Sequence, residues 1–468
     1  MIDPSLQNVE QLRAALFAGV IDPTDVVAAL AQRSRAADVH TNCFVVLDEK
    51  AASEKAATLI AQRASGRPPG LLWGVPYAHK DVFGTASRHP AAGSLFSELP
   101  VALGSDSVMA ALDSADAITL GATSLDEISY GATGLNDHFG DCRNPWDTRF
   151  ITGGSSSGAA AAVAARAVPF AICSDTAGST RIPAALCGVV GFKPTFGRLP
   201  TSGMVPLSPS QDTIGVIART VRDCALVTDA LDRHASARFR SSHALIDVIG
   251  GSLSNLRVGV CCHPFFTMQD AESSTVISEA LRVIERLGVK LSDQVLFGLE
   301  ECDAAAAVIT WIEVREAYAG LLRTAPQKFS PSTRLRLEMA MAPTEEDYRL
   351  AQGYRVDALR AFLDTAFADV DILVAPTVTL ATPKIALLST DPKESVKTTT
   401  AFLRSNRCIS YLGLPALSVP VGFTSQGLPV GLQFIGKPWD EPALLRCGAS
   451  YQTVTDWHTQ LPPTSKIS

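Results

Sequence analysis

The chain has 468 residues, 47% of them hydrophobic and 19% charged, and a formal net charge of −7. That length fits two domains or one large α/β unit, and the composition is ordinary for a protein that buries a sizeable core. The acidic balance disfavours the basic surface that phosphate neutralisation requires, so no nucleic-acid partner is expected.

The chain opens Met1-Ile2-Asp3-Pro4, with neither a basic start nor an apolar stretch, so no signal peptide is expected. No run of about 18 apolar residues offers a membrane span. Residues 1–65 read as helices. Leu12, Ala15, Leu16 and Val20 keep helical spacing, Asp22-Pro23-Thr24 opens a second helix, and a third runs from about Asp48 to Arg63. Gly74 to Lys80 reads as a short strand leading into a loop. Helix and strand then alternate through Ser107–Leu112, Ala117–Leu120, Gly158–Arg166, Val168–Cys173 and Ala184–Phe192, which predicts an α/β fold. From 236 to 370 the chain turns helical, with one strand at Leu256–Val260 and helices near 272–287, 302–323 and 344–368. Strand-like runs return at Asp371–Ala375, Ala416–Val421 and Val430–Ile435, while the Pro-, Thr- and Lys-rich stretch 381–400 reads as a surface loop. No internal repeat is evident. The expectation is one unit over 1–468: N-terminal helices (1–65), a catalytic core (74–231), a variable helical cover (236–370) and a C-terminal return to the core (371–468).

The ten cysteines form no C-x-x-C pair and several sit in apolar runs. They read as reduced, buried thiols, which makes the cytoplasm the expected compartment.

Three segments concentrate chemistry. The first is Gly153-Gly154-Ser155-Ser156-Ser157-Gly158, running into an alanine-rich helix. The second is Ser174-Asp175-Thr176-Ala177-Gly178-Ser179-Thr180-Arg181, directly after an apolar strand. The third is Lys80, after Gly74–His79. Taken singly, a Ser/Gly cluster is a loop and a lysine is a surface charge. Together they read differently. Strand ends facing a helix start are where α/β proteins place ligands. The small residues Ala177 and Gly178 let the amides of Thr176, Ala177, Gly178 and Ser179 curl around one oxygen, as an oxyanion hole requires. Ser179 closes that turn and reads as a nucleophile. Asp175 and Arg181 beside it read as a supporting ion pair rather than substrate contacts, and Ser156 as a loop or helix-cap hydroxyl.

With these residues the chain resembles the amidase signature family. The likeness covers Gly74 to about Leu231, including Cys187-Gly188-Val189-Val190-Gly191-Phe192-Lys193-Pro194-Thr195, and resumes from Gly413-Leu414-Pro415-Ala416 through Gly431–Gly436. The resemblance implies a large mixed central β-sheet covered by helices on both faces. It also implies a Ser–Ser–Lys triad: Lys80 as base, Ser155 as bridging serine after a cis peptide, and Ser179 as the acylated nucleophile. A lysine free in water titrates near 10.4, so Lys80 must be buried to act as a base near neutral pH. Ala177 stands where many members carry glycine, a change that leaves the backbone amide in place. No cofactor and no metal is implied.

The implied activity is hydrolysis of an amide C–N bond by a free-standing serine hydrolase, the substrate being a small amide or a carbamate (urethane), the state monomer or homodimer. Tyr130 and Gly131, in the segment Leu125–Gly134, are placed near the substrate with Ser155; Trp311 and Tyr318 hint at an uncharged, hydrophobic group. The same family contains the glutaminase A subunit of the tRNA-dependent amidotransferase, which carries an arginine for the glutamine carboxylate downstream of its nucleophile. That is the alternative reading. Further rivals are an α/β-hydrolase elbow at Gly154–Gly158 with Ser156 as nucleophile and His234 or His458 as base, His79 as base, and a phosphate loop at Gly431–Pro438. A non-catalytic binding protein keeping the fold is a further class, disfavoured by intact Lys80, Ser155 and Ser179.

Overall fold

The computed structural model describes residues 3–85, 88–97, 99–102, 107–232 and 244–466. In chain order its strands are β1 (Phe44–Leu47), β2 (Pro76–Lys80), β3 (Ile118–Thr123), β4 (Phe170–Asp175), β5 (Val190–Lys193), β6 (Thr213–Ala218), β7 (Arg257–Cys262), β8 (Lys290–Val295), β9 (Ile372–Pro376), β10 (Ala416–Phe423) and β11 (Pro429–Gly436). They form one 11-stranded mixed sheet in the order β1-β3-β2-β4-β6-β5-β10-β11-β9-β7-β8, with helices packed against it. The fold is α/β, as expected. Among the described residues no helix is long and apolar enough to cross a membrane.

The centre of the sheet is buried on both faces. Every residue of β2, β4, β5, β6 and β9 is buried, and such strands read as apolar runs rather than alternations. Sequence periodicity therefore finds β4 and β9 readily. It misses β1, β6 and β8. The last is a polar edge strand, Lys-Leu-Ser-Asp-Gln-Val, with no fully buried residue, so it carries little apolar signal.

The stretch 381–400, expected to be a loop, instead contains the start of a helix over Pro392–Tyr411. Asp391 caps it through the Lys393 amide, Pro392 sits at its first turn, and Glu394 lies near the positive end of its dipole. That helix, with those over Leu299–Thr324 and Pro331–Met339, forms the roof over the end of β4. The ten cysteines are free, nine of them buried and Cys262 exposed.

Candidate active site

β2 and β4 are parallel neighbours, with Ala78 opposite Ala171 and His79 opposite Ile172. Their carboxyl ends therefore emerge side by side, which brings Lys80 next to Ser174 and Asp175. The Gly154–Ser155 peptide is cis and turns Ser155 toward the same place, just before the buried helix Ser157–Ala164. The result is a continuous chain of polar contacts. Lys80 Nζ donates to Ser155 Oγ at 2.7 Å and to Ser174 Oγ at 3.0 Å, and Ser155 Oγ donates to Ser179 Oγ at 3.0 Å. Lys80 and Ser155 are fully buried, while Ser179 keeps 5% exposure, so the far end of the chain opens onto a cavity and the near end does not.

Burial sets the charge of Lys80. Desolvation pulls its pKa down to about 8, against the opposing pull of Cys173, Asp126, Asp212 and Asp175. About a tenth of the amine is thus uncharged at pH 7 and about half at pH 8, able to accept a proton. His79 points the other way, as strand alternation requires. Its Nδ1 meets Thr119 Oγ1 at 3.1 Å and burial lowers its pKa to about 3.

Asp175 holds the turn that carries Ser179. Its carboxylate accepts from the Gly178 amide at 2.7 Å and the Thr180 amide at 3.3 Å, and meets the Arg181 guanidinium in a bidentate pair at 3.0 and 3.0 Å. Burial pushes that carboxyl up, but Arg181, Lys193 and the Gly178 amide outweigh it and hold it at about 2. This network corrects one expectation. The Gly178 N–H is spent on Asp175 and does not face the cavity. The amides of Thr176, Ala177 and Ser179 meet no acceptor among the described residues, so of the four expected donors these three are left free. Gly178 is needed for another reason: at φ +119 a Cβ there would stand 2.7 Å from Asn406 Cβ.

Ser156 starts the helix at 157 but does not cap it with its side chain. Its Oγ donates to the Ser174 carbonyl at 3.3 Å and its amide to the Ser179 carbonyl at 3.1 Å, so it ties the two Ser/Gly segments together. Among the described residues no histidine hydrogen-bonds to it. His458 lies in the C-terminal segment beside Arg166, and His234 lies outside the described residues. The phosphate-loop look-alike is β11, paired on both sides by β10 and β9.

The cavity over Ser179 is narrow, about 30 Å³, and is lined by Tyr130, Gly131, Thr176, Ala177 and Trp311 together with Arg336 and Arg407. Tyr318, in contrast, is fully buried and donates to the Pro206 carbonyl at 3.3 Å. A larger cavity of about 800 Å³ lies between helix Ala271–Arg286, the β10–β11 hairpin and residues 378–387, but neither Lys80 nor Ser179 borders it. Sequence reasoning did not find Arg336, Arg407 or Asp126. Asp126 accepts from the amides of Thr133 and Gly134 at 3.1 and 2.9 Å. Its two oxygens would lie 2.1 Å from a Cβ at Gly131 and 1.9 Å from one at Gly154, which shows how closely it braces the loop 130–134 against the Ser155 peptide. Among the described residues no group of three or more His, Cys, Asp and Glu side chains is placed to hold a metal ion.

The family model described as Amidase matches residues 25–445. The A subunit of the glutamyl-tRNA(Gln) amidotransferase from Roseiflexus castenholzii is 34% identical over 97% of this chain and 97% of its own. Among solved structures, a chain from a vestigial protein complex bearing on the evolutionary origins of an s-triazine catabolic enzyme is 31% identical. Its TM-score is 0.84, covering 96% of this chain and 98% of that one. A bacterial aryl acylamidase of the amidase signature enzymes is 25% identical with a TM-score of 0.86, covering 98% of each.

Proposed function

Since this chain belongs to the amidase signature family and is therefore an enzyme acting on C–N bonds, we propose that it cleaves amides through an acyl-enzyme on Ser179. The single observation that carries this reading is the buried Lys80–Ser155–Ser179 chain at 2.7 and 3.0 Å. Uncharged Lys80 takes a proton from Ser155 as Ser155 takes one from Ser179. The Ser179 oxygen attacks the carbonyl carbon, and the amides of Thr176, Ala177 and Ser179 receive the oxyanion. The relay runs back to protonate the leaving nitrogen, and water then releases the acid by the reverse path. Asp175 and Arg181 act as positioning residues for the turn.

Two substrate readings remain, from different observations. The full-length likeness to amidotransferase A subunits supports glutamine as the amide, with ammonia passed to a partner. The cavity supports a free-standing hydrolase of another small amide or carbamate. No Asp or Glu lines it, so the α-ammonium of glutamine would find no counter-charge there. The ten free cysteines fit a reducing compartment, the cytoplasm. Ammonia release by the purified chain decides between the two. Turnover of glutamine that far exceeds that of simple amides, or that needs added partner subunits, supports the subunit reading. Turnover of simple amides with glutamine inert supports the free-standing one.

A further inference from the structure

At the end of β4 away from Ser179, two arginines are buried without an acid to pair with. Arg166 follows the helix Ser157–Ala164, and Arg219 follows β6, whose last residue, Ala218, lies opposite Phe170 at the start of β4. Both side chains border a pocket of about 360 Å³ with Leu6, Thr220, His458 and Leu461. No Asp or Glu lines that pocket, and it shares no residue with the cavity over Ser179. Arg166 is 6% exposed and Arg219 3%, and among the described residues neither joins an ion pair. Their side chains donate only to carbonyls there: Arg166 Nη2 to those of His458, Thr459 and Gln460 at 3.4, 3.1 and 3.1 Å, and Arg219 Nη2 to that of Gln7. Arg166 Nε and His458 Nδ1 are buried with no partner. Burial and the neighbouring charges of Arg219 and Arg33 lower the pKa of Arg166 to about 9, and burial lowers that of Arg219 to about 10, so both remain cations at neutral pH. Asp223 acts on Arg219, Asp3 on Arg33 and Asp456 on His458, but none of these acids borders the pocket. Like charges buried together without a counter-charge are unfavourable, and a guanidinium presents a fork of donors that matches an oxyanion.

We propose that this pocket binds a small oxyanion of two or more charges, a phosphate or a dicarboxylate, held between the guanidinium groups of Arg166 and Arg219. The proposal goes beyond the acyl-enzyme reading and does not depend on it. Two cations match a dianion better than a single charge. The volume leaves room for an organic group attached to the anion, beside Leu6 and Leu461. Arg219 already holds the segment at Gln7 and Arg166 the segment 458–460, so an anion between them fastens both segments to the core and stabilises the folded chain.

The thermal midpoint of the full chain, followed at neutral pH against inorganic phosphate, malonate and sodium chloride at matched ionic strength, tests this. Binding at one site raises the midpoint with the logarithm of concentration, whereas exclusion of phosphate from the surface gives a rise that any folded variant shares. The logarithmic rise is expected with phosphate, malonate or both, and not with chloride; the probe that gives it names the oxyanion. Leu6 is exposed at the pocket, so Leu6→Glu sets a carboxylate there without touching the core. That variant is expected to keep the parent midpoint in chloride and to need at least about tenfold more anion for the same rise, the size of one charged hydrogen bond. Arg166→Met is expected to lose the response in the same way, and Leu6→Glu decides the matter should Arg166→Met fail to fold. Arg336→Met, in the cavity over Ser179, keeps the parent response. A rise no larger than that in chloride, a rise unchanged in Leu6→Glu, or one lost only in Arg336→Met overturns the proposal.

Discussion

The floor and the roof of the site are built in different ways. The floor consists of the ends of β2 and β4 and the Gly154–Ser155 turn, contributed by residues 76–80, 153–157 and 170–181. Its side chains are almost wholly buried, and Lys80, Ser155, Ser179, Asp175 and Arg181 are hydrogen-bonded to one another or to their neighbours. The roof is made from helices 299–324, 331–339 and 392–411, and it brings Trp311, Arg336 and Arg407 to the cavity, Arg407 paired with Asp303. The contrast separates two tasks. In the proposed mechanism the fixed, dry proton path is the Lys80–Ser155–Ser179 chain at the sheet ends. In the same reading, the groups that meet the substrate come from the helices. Variants in the floor should stop turnover whatever the substrate; variants in the roof should change which substrate is used.

The largest break expected is in the floor. Ser179→Ala should lower kcat/KM by about 10⁵-fold or more for every amide tested, with the thermal midpoint little changed; a comparable loss in Ser156→Ala instead would reverse the assignment. Asp175→Asn comes next. It leaves the buried Arg181 charge without its partner and should cost about 3–5 kcal/mol of stability, read as a lower urea midpoint, along with slower turnover through a looser turn. The pH profile is smaller but more specific. Lys80 must be uncharged, and its pKa is lowered to about 8, so the active fraction grows as pH rises. Activity should climb about tenfold per pH unit below that value and flatten above it, with no second limb from His79. In the roof, Trp311→Ala should raise KM by about tenfold and leave kcat nearly unchanged, since it contributes binding common to ground and transition states. Smallest of all, Ser156→Ala removes one neutral hydrogen bond to the Ser174 carbonyl, worth about 1 kcal/mol, and should change activity only a few-fold.

The same division governs what could be read before any coordinates. Ser179 could be named from the small-residue turn after an apolar strand, and Lys80 and Ser155 through the resemblance to the amidase signature family, since a lysine or a Ser/Gly run taken singly is an ordinary surface charge or loop. The bound role of the Gly178 amide could not be read, because it depends on which way Asp175 turns once Arg181 is in place. Asp126 is one of two adjacent acids in the segment Leu125–Gly134, and its place is set by Thr133, Gly134, Gly131 and Gly154 closing round it. Arg336 is further from view still. Its helix, Pro-Ser-Thr-Arg-Leu-Arg-Leu-Glu-Met, reads as an ordinary charged surface helix, and only its packing over Tyr130 brings the guanidinium into the cavity. The start of helix Pro392–Tyr411 was readable in principle, since Asp391, Pro392 and Glu394 are each start signals; the Pro, Thr and Lys content of 381–400 concealed them.

The central claim is that an uncharged Lys80 drives Ser179 through Ser155. It is tested most directly by the pH dependence of Ser179 acylation or phosphonylation in the parent chain and in Lys80→Ala, with the modified residue located by peptide mass. The account predicts a rate that rises with pH and levels off near 8 in the parent, and a slow, flat rate in the variant. The same rising limb in both, or an adduct on a serine other than Ser179, would contradict it.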